Sequence, residues 1–314
     1  MTFQRVAIIG LGLQGGSIGL AVQAYLPDVV TTGYDRDAIT RTRAAERRLV
    51  HKVCDTAAEA VADCDLVIFC VPLGAMGIAA EQVRAALPAD ALVSDVGSSK
   101  QVVAKALGEA LPDHVIIPAH PVAGTENSGA DAGFAELFRN RWCIVTPPPQ
   151  TNLVKLSQLV AFWEALGANV EIMDADHHDL VLAVTSHLPH LIAYTIVGTA
   201  SDLEEVTQSE VIKYSAGGFR DFTRIAASDP TMWRDVFLSN RQAVLTMLQR
   251  FTEDLTALQR AIRIGDGETL FNHFARTRAT RRSIIEEGQD DARPDFGRAD
   301  HRADHRTDPK PADS

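Results

Sequence analysis

A chain of 314 residues with 46% hydrophobic and 23% charged side chains has the make-up of a globular protein long enough for two domains. Its formal charge of -11 argues against nucleic acid as a partner, because a phosphate-binding surface needs an excess of Lys and Arg. Cys54, Cys64, Cys70 and Cys143 form no CxxC pair and no zinc-like spacing with histidine, so reduced thiols are expected.

The chain opens with Arg5 and an apolar run, "VAIIGLGLQGGSIGLAV", interrupted by glycines and followed by no cleavage site. No other run approaches the roughly 18 apolar residues of a membrane span, so a soluble, cytoplasmic protein without membrane contact is expected. Gly10, Gly12 and Gly15 have the G-x-G-x-x-G spacing, directly after a predicted strand and before a predicted helix. That context marks a dinucleotide site with Gln14 inside the loop: a tight turn, a close backbone approach to pyrophosphate, and tight helix–strand packing. The free N–H groups at the helix start hold the phosphates.

The second predicted strand, "VVTTGYD" (29–35), ends on Asp35, where a carboxylate accepts hydrogen bonds from the adenosine ribose and repels a 2'-phosphate. NAD is therefore favoured over NADP, with the neighbouring Arg36 as a counterweight or simply a solvated first-turn residue. Strand "DLVIFCV" (65–71) closes on Val71 and Pro72 at the carboxyl edge, where open sheets bind ligands, although Pro72 also serves as a strand stop. "ALVSDV" (91–96) leads into "GSSK", with Ser98 or Ser99 as a candidate helix cap. "HVIIPA" (114–119) delivers His120 to the same edge at the head of "HPVAGTENSG", a stretch expected to be irregular. A histidine there, neutral near pH 7, can take a proton from a substrate hydroxyl. "WCIVTP" and "NVEIM" complete a series of strands expected in one parallel sheet.

Beyond Asp174 helical periodicity takes over. "TSHLPH" (185–190) brings Ser186, His187 and His190 within two turns, with Pro189 expected to kink or restart the helix. The HxxH spacing lacks a third ligand, and no metal is expected. Arg224 lies in the apolar context "FTRIA", where it serves either as a clamp for a substrate carboxylate or as the partner of Asp221 or Asp229. Met232, Val236, Phe237, Asn240, Val244, Leu248 and Phe251 recur at helical spacing on a broad, mostly apolar face that also suits a homodimer. From Gly288 the chain is charged and repetitive, "ADHRADHR" included, as a disordered tail would be.

The fold expected is α/β: a Rossmann-type doubly wound sheet over residues 1–173, an all-helical substrate-binding and dimerisation domain over 174–287, and the tail over 288–314.

Taken together, "GLGLQGGS", "DVGSSK", "HPVAGTENSG", "TSHLPH" and "GGFRDFTRIAASDPTMW" resemble the prephenate and arogenate (cyclohexadienyl) dehydrogenases of tyrosine biosynthesis, in order from about residue 5 to residue 285. The resemblance implies oxidative decarboxylation of prephenate or arogenate with NAD, without a metal. It implies His120 as the histidine on the ring hydroxyl and Ser98 as the serine that orients that hydroxyl, with Ser99 as fallback. Arg224 matches the substrate-carboxylate arginine, and Ser186, His187 and His190 match the polar wall of the pocket. Thr125 and Glu126 come near the substrate side chain, with Gly217 and Trp233 lining the site. Tyrosine, if it inhibits, is expected to compete at the active site. The alternatives are a β-hydroxyacid dehydrogenase, disfavoured because Lys213 is the only lysine in the helical half before the tail, and a dinucleotide-sensing regulator without turnover.

Overall fold

The computed structural model describes residues 3–125, 127–202 and 217–286. Glu126, Lys213 and the tail from 288 lie outside the described residues.

Six short strands form a parallel sheet: β1 (Arg5–Ile9), β2 (Val30–Tyr34), β3 (Lys52–Val53), β4 (Leu66–Phe69), β5 (Leu92–Asp95) and β6 (Val115–Ile116), in the order β3-β2-β1-β4-β5-β6. Side chains alternate across it as the pleat requires. Val6, Ile8, Leu66, Ile68 and Leu92 enter one core, while Ala7, Ile9, Val67, Phe69 and Val93 enter the other. The first core is closed by α1 (Leu13–Tyr25) and α6 (Leu153–Ala165), and the second by α3 (Ala57–Val61), α4 (Met76–Val83) and α5 (Lys100–Ala110). Helix α2 (Ala38–Glu46) follows β2 and is capped by Asp37, whose side chain accepts from Thr40 N–H.

The expectation of a single parallel sheet is corrected. The segment "HVIIPA" divides into β6 and β7 (Ala119–Pro121), and β7 belongs to a second sheet, ordered β7-β8-β9. There β7 runs antiparallel to β8 (Trp142–Val145), which pairs in parallel with β9 (Asn169–Ile172). Pro118 lies at the division and has no N–H to continue a ladder; its carbonyl accepts from Thr146 N–H instead. His120 and Pro121 are thus strand residues, with His120 in register with Ile144, and the irregular segment begins only at Val122.

Helix α7 (Ala175–Leu182) passes through a single π turn, Ala183–His187, into α8 (Leu188–Asp202). The wider turn absorbs Pro189 without a break, correcting the expected restart. This 28-residue stretch is long and apolar enough to cross a membrane by length and composition, contrary to the expectation that no such run follows the N-terminus. It carries the buried His178, Asp179 and His187, while Leu180, Val184, Ile196 and Val197 are exposed.

The chain resolves into two compact units, Met1–Val244 and Leu245–Ser314. Both sheets and the helices as far as Ser239 lie in the first. The single periodicity expected from Met232 to Phe251 is two helices, Pro230–Ser239 and Arg241–Ile264, divided at Asn240. The second unit carries the remainder of that helix and Gly267–Glu286, with Leu255, Ile262, Phe271 and Phe274 exposed.

Candidate active site

The glycine loop has the geometry its spacing predicts. Gly10 has φ of +101°, and a Cβ there would lie 2.5 Å from the Cys70 carbonyl oxygen. A Cβ on Gly15 would overlap the Gly10 carbonyl oxygen. Gly12 differs: it is the N-cap of α1 without a side-chain cap, and a Cβ there would meet nothing within 4 Å. Open space above uncapped helix N–H groups is what a pyrophosphate needs, so the loop fits a dinucleotide. Val71 and Pro72 follow β4 beside this turn, and a Cβ on Gly10 would come within 3.2 Å of the Val71 side chain.

Asp35 does more than its position predicts. Its Oδ2 accepts from Leu11 N–H at 2.9 Å and its Oδ1 from Asp37 N–H at 2.9 Å, bracing the glycine turn while lone pairs remain for ribose hydroxyls. Arg36 is exposed, and Arg41, unnoticed in the sequence, stands over the Tyr34 ring at 5.6 Å and donates to the Asp35 carbonyl. Gln14 donates from Nε2 to the Ala123 carbonyl at 2.5 Å.

His120 is buried on β7 and belongs to a chain of groups that only the fold brings together. His120 Nδ1 lies 2.9 Å from His178 Nε2, and His178 Nδ1 lies 2.8 Å from Asp179 Oδ1. The Asp179 carboxylate also accepts from the N–H groups of Lys100 (2.7 Å) and Gln101 (3.1 Å). It therefore caps α5 from 79 residues away, and the expected serine cap is corrected: Ser99 holds the N-cap position, but its buried hydroxyl makes no hydrogen bond. Ser98 is half-buried at the same turn. Below it the buried Lys100 ammonium contacts Asp95 Oδ2 at 2.6 Å and the Ala119 carbonyl at 2.5 Å, while Asp95 accepts from Gly97 and Ala119 N–H. Both backbone polar groups of the residue before His120 are thus fixed by one buried ion pair.

These contacts dictate proton positions. A carboxylate can only accept, so His178 carries its proton on Nδ1 and leaves Nε2 bare. His120 must then donate from Nδ1, and its own Nε2 keeps a free lone pair. Burial, reinforced by the neighbouring His178, the Lys100 ammonium and His187, all of which disfavour a further positive charge, holds the His120 pKa well below its ordinary value and keeps the ring neutral. Burial likewise lowers His178, with Asp179 opposing.

The polar residues of α8 and the turn before it divide. His190 stacks on Trp233 with centroids 3.6 Å apart, donates from Nδ1 to the Ser186 carbonyl, and is held low by burial and by the Arg224 charge. Arg224 is exposed on a short 3-10 turn, Arg224–Ala227. Tyr194 ties that turn to α8 by donating to the Ser228 carbonyl at 2.7 Å. His187, by contrast, is wholly buried: Asn240 Nδ2 lies 3.1 Å from its Nδ1 and also donates to the Asp179 carbonyl, and burial pushes the ring down to about 4. His187 is placed among the supports of the relay rather than on an open wall. Thr125 is engaged locally with Asn127, and Gly217 begins the helix Gly217–Thr223 among its own neighbours.

The sequence reading missed Asp95, Lys100, His178, Asp179 and Asn240. One signal was available: "HHD" at 177–179 sets three polar groups in a helix otherwise apolar enough for a membrane, and buried polar residues need partners.

A dinucleotide loop and a buried, tautomer-fixed histidine within one α/β unit suit a dehydrogenase. Residues 18–172 match the family model "Prephenate dehydrogenase, nucleotide-binding domain", and residues 174–276 match "Prephenate dehydrogenase, dimerization domain". The chain belongs to the prephenate dehydrogenase family, which sets aside the β-hydroxyacid alternative. It is 45% identical over 282 residues to the cyclohexadienyl dehydrogenase of Zymomonas mobilis, covering 90% of this chain and 96% of that one. It is 31% identical to the prephenate dehydrogenase of Bacillus subtilis over 86% of this chain and 73% of the relative. Among solved structures, prephenate dehydrogenase from A. aeolicus in complex with hydroxyphenyl propionate and NAD+ superposes with a TM-score of 0.84 at 31% identity, covering 90% of this chain and 99% of that one.

Proposed function

We propose that this enzyme carries out the NAD-dependent oxidative decarboxylation of prephenate, arogenate or both, giving 4-hydroxyphenylpyruvate or tyrosine. The observation that carries the reading is the free Nε2 lone pair that the Asp179–His178 relay imposes on His120. Bound NAD supplies the hydride acceptor; Gly12, Gly15 and the first turn of α1 hold its phosphates, and Asp35 its ribose. His120 Nε2 accepts the proton of the ring hydroxyl, with Ser98 orienting that group. Loss of the ring carboxylate as carbon dioxide makes the ring aromatic, and His120 returns the proton to the phenolic oxygen. Arg224 pairs with a substrate carboxylate beside His190 and Trp233, with Ser186, Thr125 and Glu126 nearby.

Residues 1–173 bind dinucleotide and 174–287 complete the substrate site and a homodimer, in keeping with the dimerization-domain match. The enzyme works in the cytoplasm, and any inhibition by tyrosine is competitive at the active site. Purified protein assayed for reduced nicotinamide with prephenate and arogenate, each against NAD and NADP, tests the reading. Turnover with NAD supports it, and protein that binds NAD but turns over neither acid refutes it.

A further inference from the structure

The segment that leaves β7 and passes Thr125 is tied at both ends to the dinucleotide half of the fold. At its far end Arg47 donates to the carbonyls of Ala130 and Gly133, Arg43 pairs with Asp131 at 2.6 Å, and Phe134 N–H donates to Ser17. Gly133 lies so close to α1 that a Cβ there would come within 3.2 Å of the Gly16 backbone. At its near end the tie is one side chain. Gln14, set between Gly12 and Gly15 in the phosphate loop, donates from Nε2 to the carbonyl of Ala123, three residues beyond His120.

The other end of that amide is unusual. Gln14 Oε1 is buried and has no hydrogen-bond partner. Exchanging the amide oxygen and nitrogen would not help, because it would set two acceptors 2.5 Å apart. A buried carbonyl without a donor is unfavourable, and a ligand carrying a donor relieves it.

We propose that Gln14 is a positioning residue that couples the two ligands: its carbonyl takes a hydroxyl or amide donor of the bound dinucleotide while its N–H holds Ala123, so that an occupied cofactor site fixes the substrate segment. This rests on the function proposed above. By linkage, each ligand then tightens the binding of the other by the same factor.

The test uses full-length protein and hydroxyphenyl propionate, which cannot react. Its dissociation constant is measured by calorimetry with and without saturating NAD, alongside hydrogen exchange of the peptide spanning residues 120–125. In the wild type NAD tightens binding by about fivefold or more, the lower end of ordinary coupling, and slows exchange in that peptide. Gln14→Met keeps the shape without either amide group, and Gln14→Glu keeps an acceptor but loses the donor. In either variant, verified as folded by its melting curve, NAD changes the affinity by less than about twofold and leaves exchange in the peptide unaltered. A folded variant with the wild-type ratio overturns the coupling, as does a wild type that turns over but shows no ratio. A wild type that binds no NAD overturns the function itself and the coupling with it.

Discussion

Replacing His178 by leucine tests the relay most directly. The substitution removes the only acceptor described for His120 Nδ1 while leaving Asp179 with its two backbone donors, Lys100 and Gln101. His120 then chooses between a buried N–H without a partner, at about 1–3 kcal/mol, and the opposite tautomer, whose Nε2 proton blocks the base. With each 1.36 kcal/mol worth tenfold in rate, kcat should fall by about 10- to 100-fold. KM should move little, since His178 lies behind His120 rather than against substrate. His178→Gln restores an acceptor through its carboxamide oxygen and should recover most of the loss, to within about fivefold of wild type. The assay is reduced-nicotinamide formation at saturating substrate, with urea unfolding of each variant to confirm that the fold survives. A leucine variant as fast as wild type, or a glutamine variant as slow as leucine, would show that the relay does not set the His120 tautomer.

Gly12→Ala should leave unfolding free energy within about 1 kcal/mol of wild type, because its Cβ would meet nothing within 4 Å, yet weaken NAD binding at least tenfold; equal NAD affinity by calorimetry would remove the pyrophosphate from that cradle. Asp179→Ala removes the α5 cap and strands three donors, so a loss of about 3 kcal/mol is expected in urea unfolding, and a loss below 1 kcal/mol would contradict the cap. Arg224→Ala should raise KM more than tenfold with a smaller effect on kcat, and an unchanged KM would take Arg224 out of the substrate site. His120, His178, His187 and His190 all have folded pKa values below 6.5, so the unfolded chain binds more protons just below that pH and stability falls as pH drops from 6.5. His187, at about 4, alone accounts for about 3 kcal/mol of that loss, and stability that stayed flat between pH 6.5 and 4 in urea titrations would refute its buried neutral state.

What could be read from the sequence, and what could not, follows from the range of the interactions. Gly10, Gly12, Gly15 and Asp35 were legible because their roles are local: a turn, a helix start and a strand end within one βαβ unit. The longer strands were legible for the same reason; the two-residue β3 (Lys52–Val53) is too short to show a pattern, and where Pro118 sends the chain from one sheet to another the apolar residues carry no mark of which sheet receives them. The relay was not legible. Its contacts join residues 58 and 79 positions apart, and two of the polar side chains that make or support it, Asp179 within a helix and Asn240 at the turn between two, lie in stretches that read as helix from their periodicity. Asn240 shows the point most sharply. Its spacing sets it on a mostly apolar face, yet it ends one helix, holds the Asp179 carbonyl and reaches His187. Most polar residues on a buried face find a partner in the fold, and here the partners converge behind His120.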